Sequence, residues 1–417
     1  MNFDQITLSN GLRIIGERIP HFRSVSVGLW VGSGSQYEIP VEAGVSHFIE
    51  HMVFKGTKKR SARAIAEEMD AVGGQLNAFT AKECTCFYAK VVDEHLPLAM
   101  DVLVDLVTAP AFDPGELEKE KGVVLEEIAM SEDTPEDLVH EMLMLAHFGD
   151  QPVARPILGN AGRIASYSRE ELADYWRRLY RPQNAVLALA GNYEWDAVVR
   201  MAEELLGGWQ AGGFEKRGCT TNAVAPTVLV REKDIEQIHI CLGFPGLRLG
   251  DDRNYELSLF NSVFGGSMSS RLFQKIREER GAAYTVYSYP NAYTDAGMLS
   301  IYAGTNPDAA VEVCDMLVDE ARKIAREGMT EQEFAMAREQ LKASYILGLE
   351  STSARMQSIG RRMLLMNETR TETEVIDRVN ALKYENVNAL MREILLCDYS
   401  VALVGRNAEA VAAKLPR

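Results

Sequence analysis

Two imidazoles four residues apart, His47 and His51, with the carboxylate Glu50 between them, are the side chains in this sequence best placed to do chemistry. On a helix, positions i and i+4 share a face, so both rings can address one metal ion. Glu50 follows His47 by three residues and lies on the same side, where a carboxylate can take a proton from a metal-activated water. The run Ser-His-Phe-Ile-Glu-His-Met at 46–52 therefore reads as a helical H-x-x-E-H pattern.

Two histidines alone leave such a site incomplete, because a catalytic zinc usually takes three protein ligands and keeps one position for water. The helix predicted over 114–130 offers Glu116, Glu118, Glu120, Glu126 and Glu127 as a third donor. Glu120 and Glu127 are seven apart, two helical turns, and share a face; Glu126 is turned about 100° away. Spacing by itself leaves both open.

The elements that must hold these groups follow from hydrophobic period. Runs at 23–31, 83–92 and 184–191 read as strands, and segments 42–55, 61–72, 94–108, 114–131, 134–148, 168–180 and 195–207 carry helical spacing. Asp113-Pro114 opens one helix, and Ser168 with Glu171 forms a capping box at another. A shift of about 214 residues lays Asp101-Val102-Leu103-Val104-Asp105 on Asp315-Met316-Leu317-Val318-Asp319, Phe87-Tyr88-Ala89 on Ile301-Tyr302-Ala303, and 186–191 on 400–405. Near the start of each half, 25–29 matches 238–242 at a shift of 213. The chain is thus two copies of one fold. The expected class is α+β: two tandem homologous layers, each a sheet with helices packed on it. The first copy spans 1–210, a Gly- and polar-rich linker 211–225, and the second copy 226–417. At the matched shift His47, Glu50 and His51 fall on Phe260, Val263 and Phe264, so only the first copy can hold the metal pair.

Composition narrows the function class. The 44 Lys+Arg against 60 Asp+Glu give a formal charge of −16, which argues against nucleic acid as a partner. No apolar run is long enough to span a bilayer, and the start shows neither a signal nor a transit peptide, so a cytoplasmic location is expected, without membrane attachment. The six scattered cysteines read as reduced, mostly buried thiols.

His47-Phe48-Ile49-Glu50-His51, followed after 75 residues by Glu127 within Val123-Val124-Leu125-Glu126-Glu127, resembles the M16 (pitrilysin/insulinase) family of zinc metallopeptidases, and the length is similar to its M16B branch of processing-peptidase-like proteins. The resemblance implies a LuxS/MPP-like metallohydrolase fold and one Zn²⁺ per chain held by His47, His51 and Glu127. It implies Glu50 as general base and Glu120 as a carboxylate just outside the ligands. It further implies that Arg277 and Tyr284, six residues intervening, contact substrate from the metal-free copy, within the run 269–284. The segment 73–80, with Asn77 and Ala78, is similar to the edge strand on which the family pairs extended peptide substrates. Gly265-Gly266 is only a short glycine turn, so presequence recognition is not implied. Family members close two double-domain halves around a chamber, so the expected assembly is a homodimer with Arg277 and Tyr284 completing the partner's site. The alternatives are a non-catalytic scaffold subunit of this fold, or a catalytic subunit paired with an inactive chain.

Overall fold

The computed structural model describes residues 3–212 and 217–415. The first half carries β1 (Asp4–Thr7), β2 (Arg13–Arg18), β3 (Ser24–Val31), α1 (Val45–Val53), α2 (Ala62–Asp70), β4 (Gln75–Thr80), β5 (Thr85–Val92), α3 (Leu96–Thr108), α4 (Pro114–Asp133), α5 (Pro135–Phe148), α6 (Ala161–Ser166), α7 (Arg169–Leu179), β6 (Ala185–Gly191) and α8 (Trp195–Leu206). The second carries β7 (Val228–Glu232), β8 (Ile238–Pro245), α9 (Asn254–Phe264), a π-helical segment (Phe273–Glu279), β9 (Ala283–Ala292), β10 (Gly297–Thr305), α10 (Ala310–Glu327), α11 (Glu331–Gly348), α12 (Thr352–Met366), α13 (Glu372–Asn380), α14 (Tyr384–Leu395), β11 (Ser400–Gly405) and α15 (Ala408–Ala412).

Hydrogen bonding repeats as the sequence does. The first sheet runs β1-β2-β6-β3-β5-β4 and the second β7-β11-β8-β10-β9, the same order once β1 is set aside. Registers agree too. Leu29 lies opposite Phe87 and Leu187, while Leu242 lies opposite Ile301 and Val401. The fold is the expected pair of tandem α/β layers.

The units of packing do not follow the chain linearly. One unit comprises 1–128, 155–219 and 346–372; the other comprises 129–154, 220–345 and 373–417. Each unit therefore includes one helix from the opposite half, α12 in the first and α5 in the second. Of the expected linker 211–225, residues 213–216 lie outside the described residues.

In the first unit β6 is buried throughout and β3 almost throughout. A sheet covered on both faces has no solvent side to demand strict alternation, which is why these strands are apolar runs. One face packs Val27, Leu29 and Leu187 with Phe48, Leu103 and Tyr175 of the helical layer. The other packs Trp30, Val186 and Ala188 with Met356, Ile359 and Met363 of α12. A Cβ on Gly360 would sit 2.2 Å from Trp30 Nε1, so the helix can approach this indole only with glycine there. In the second unit Leu242, Ile301 and Leu403 pack with Phe260, Leu317 and Met391, and α5 sets Val139, Leu143 and Met144 beside Cys241, Met298 and Ala402.

The expected caps are present. Asp113 Oδ1 accepts the amides of Gly115 and Glu116 at 2.8 and 3.0 Å, starting α4, and Ser168 and Glu171 exchange bonds at the start of α7. Such caps contribute about 1 kcal/mol each. The six cysteines are thiols outside any disulfide, and four are buried. Among the described residues no helix is long and apolar enough to cross a membrane.

Candidate metal centre

Helix α1 buries Val45, Phe48, Ile49, Met52 and Val53, the stripe that a 3.6-residue period turns inward. His47, Glu50 and His51 are left half-buried on its other flank, the two imidazoles edge to face with centroids 4.6 Å apart. Helix α4 buries Leu117, Glu120, Val124 and Ile128, and this face brings Glu120 and Glu127 to the histidines. Glu127 Oε2 lies 3.6 Å from Nε2 of His47 and 3.5 Å from Nε2 of His51. A tetrahedral zinc with ligands at about 2.1 Å would set them roughly 3.4 Å apart, so this donor set suits such an ion. Among the described residues these three are the one group of His, Cys, Asp or Glu side chains whose ligand atoms all lie within 4.8 Å of each other.

The two imidazoles are supported unequally. His51 Nδ1 is 3.1 Å from Glu120 Oε2, and the other oxygen of that buried carboxylate meets Lys55 Nζ at 2.6 Å. A carboxylate paired with an ammonium accepts, so Nδ1–H donates and the Nε2 lone pair faces Glu127. His47 Nδ1, in contrast, is buried with no hydrogen-bond partner among the described residues. Burial, and secondly the neighbouring His51, push His47 down to about 4, keeping it neutral and able to ligate at neutral pH. Burial raises the Glu50 carboxyl above its ordinary value, and Glu127 adds to the rise, while Thr80 and His51 oppose it. Thr80 Oγ1 donates to Glu50 Oε2 at 2.5 Å. Thr80 and Lys55 escape a motif search, because neither has a diagnostic spacing from the histidines. Only the period-2 face that Thr80 shares with Leu76 and Ala78 hinted at its direction.

Thr80 also joins the centre to a sheet edge. It ends β4, which among the described residues pairs with β5 alone and closes the strand order, so the other margin of Asn77 and Ala78 has no strand partner there. Arg277 and Tyr284 belong to the second unit and come together there. The Arg277 guanidinium lies 4.5 Å from the Tyr284 ring centroid and 4.8 Å from that of Phe273. Tyr284 is 74% exposed, so this is an outward-facing pair and not core packing.

A two-layer α/β repeat with a His-His-Glu cluster in one copy defines a class of metallohydrolase-like proteins, and comparison with known proteins agrees. Residues 13–161 match the family model for insulinase (peptidase family M16), and 166–341 match the model for the peptidase M16 inactive domain. The chain is 44% identical to the uncharacterized zinc protease YmxG of Bacillus subtilis over 95% of its own length and 97% of that protein. It is 38% identical to an uncharacterized zinc protease of Streptomyces coelicolor over 98% and 91% of the two chains. Among solved structures, a peptidase M16 inactive domain from Pseudomonas fluorescens superposes with a TM-score of 0.90 at 20% identity, covering 97% of this chain and 98% of that one. A protease from Helicobacter pylori gives 0.90 at 19%, covering 97% and 99%. The chain belongs to peptidase family M16.

Proposed function

We propose that this chain is a zinc-dependent metalloendopeptidase that hydrolyses unfolded or short peptides. The observation that carries the reading is the convergence of His47, His51 and Glu127 beside a half-buried carboxylate, Glu50, that belongs to none of the three ligand positions. One zinc ion per chain would be held by those three residues. When bound it supplies Lewis acidity, polarising a scissile carbonyl and bringing the pKa of a coordinated water to about 7. Glu50 accepts the proton of the attacking water and passes it to the leaving amine nitrogen. The Thr80 hydroxyl fixes Oε2 of Glu50 and leaves Oε1 for that exchange. Glu120 holds the His51 ring in one tautomer through Nδ1. An extended peptide pairs with the free margin of β4 at Asn77 and Ala78, which leads it to Thr80 and so to Glu50. Because main-chain bonds do the binding, side-chain selectivity is loose.

In this reading two chains pair, and Arg277 and Tyr284 of one donate hydrogen bonds to the substrate held by the other. The exposure of Tyr284 supports it, since an exposed tyrosine stacked on an arginine offers both groups to a ligand. Zinc content and cleavage of a quenched peptide should vanish together on chelation and return with added zinc. A chain that holds zinc and cleaves no peptide would refute the peptidase reading. Mixing Glu50→Gln chains with Arg277→Ala/Tyr284→Phe chains should restore one intact site per mixed dimer; no recovery despite proven exchange would exclude the trans arrangement.

A further inference from the structure

His51 has an outer carboxylate to aim it and His47 has none among the described residues, yet both must point at one place. With no hydrogen bond to Nδ1, the ring of His47 depends on the backbone on which it sits, within the first turn of α1. That start has no side-chain cap of its own: Gly44 stands at the N-cap with φ of 83°, and a Cβ there would meet Leu158 O at 2.6 Å. The amides of Gly44 and Ser46 are instead taken by one side chain from outside the helix. Glu38 Oε2 accepts Gly44 N–H at 2.8 Å, and Oε1 accepts Ser46 N–H at 2.9 Å. Glu38 is only 2% exposed. Ser46, the residue before His47, is held a second time through its hydroxyl, 2.9 Å from Tyr175 Oη and 3.2 Å from Ser33 Oγ.

We propose that Glu38 is a positioning residue for His47, clamping the first turn of α1 so that this imidazole meets the metal in register with His51. The inference rests on the reading of His47, His51 and Glu127 as a metal site. A carboxylate suits the task for two reasons. It has an acceptor oxygen for each amide, whereas a carboxamide has one and would turn an N–H toward the other donor. Its charge is also favoured at a helix N-terminus. Burial works against that charge and lifts the Glu38 carboxyl to about 7, so the two amides and the Ser46 hydroxyl are what sustain it. The second copy lacks the device. Asp251, in the matching place at a shift of 213, is partly exposed and bonds the main chain and guanidinium of Arg253.

The test measures zinc affinity of the full chain by competition with a chromophoric chelator, alongside metal-free thermal melting and the split of kcat against KM. Glu38→Gln should weaken zinc binding by about 10-fold or more, in the range of outer-shell substitutions, and lower kcat with little change in KM. Asp251→Asn should leave zinc affinity unchanged. Tyr175→Phe, which spares the carboxylate and removes one bond to Ser46, should give a smaller loss and serves if Glu38→Gln does not fold. Folded Glu38→Gln chains that bind zinc within twofold of wild type would overturn the role of Glu38; if that variant does not fold, folded Tyr175→Phe chains within twofold would do so. A wild-type chain that binds no zinc would instead overturn the metal-site reading, and this inference with it.

Discussion

The matching helices α1 and α9 show what one fold does with and without a polar site. In α1 the His47 and His51 rings stand edge to face at 4.6 Å and stay partly open; in α9 Phe260 and Phe264 stack at 5.2 Å and are wholly buried. The same substitution runs through the neighbouring helix. The seventh residue of α4, Glu120, and the seventh of α11, Ala337, are both buried, but only the first carries a charge, and that charge is met by Lys55 and His51. The fourteenth residue is Glu127 in one copy and Ser344 in the other. The frame thus stands without its donors. A half-buried His-His-Glu set has to be offset by partners, since unpaired buried polar groups are costly, and the second copy replaces it with aromatic packing. That the matched family model for 166–341 bears the description of an inactive domain agrees with this division.

Three experiments would break or sharpen the contrast. The largest effect is expected from Glu50→Gln: zinc stays bound while peptide turnover falls by roughly 10²–10⁴-fold, read as kcat with metal content measured on the same sample. Near-normal turnover would remove Glu50 from the mechanism. Next, Phe260→His/Phe264→His tries to write the first copy's motif into the second. It should cost about 3 kcal/mol or more in urea unfolding, because two well-packed rings are lost and new polar atoms are buried. It should also bind no second zinc, since Ala337 and Ser344 supply no carboxylate; a second equivalent would show that a histidine pair suffices. The smallest effect concerns pH. With His47 held at about 4 in the folded state against an ordinary 6.5, the unfolded chain binds the proton that the folded chain refuses. The stability of the metal-free protein should therefore be full above about pH 6.5 and fall toward pH 4, by on the order of 1 kcal/mol per unit. His47→Phe, the residue type α9 carries, should flatten that slope in urea unfolding across the same range.

Much of this was legible in the residues, for physical reasons. The i, i+4 spacing of His47 and His51 and the seven-residue spacing of Glu120 and Glu127 are local properties of single helices, and both survive into the structure as shared faces. The repeat was legible because two copies of one sheet need apolar residues at the same registers. The supports were not. Glu38 reaches α1 from a preceding turn, Thr80 from the end of a strand and Lys55 from beyond the end of α1, and each contact depends on how elements pack. The short strands β1 and β2 were also missed. β1 is largely exposed at a sheet margin, and β2 is buried over four consecutive residues, so neither shows the alternation that marks a strand.

The trade of α5 for α12 ties the fate of the two copies together. A polypeptide severed between them would strip Trp30, Val186 and Ala188 of their cover in one fragment, and Cys241, Met298 and Ala402 of theirs in the other. Neither piece could then shield both sides of its sheet, so each folding unit needs chain from both copies to complete its core.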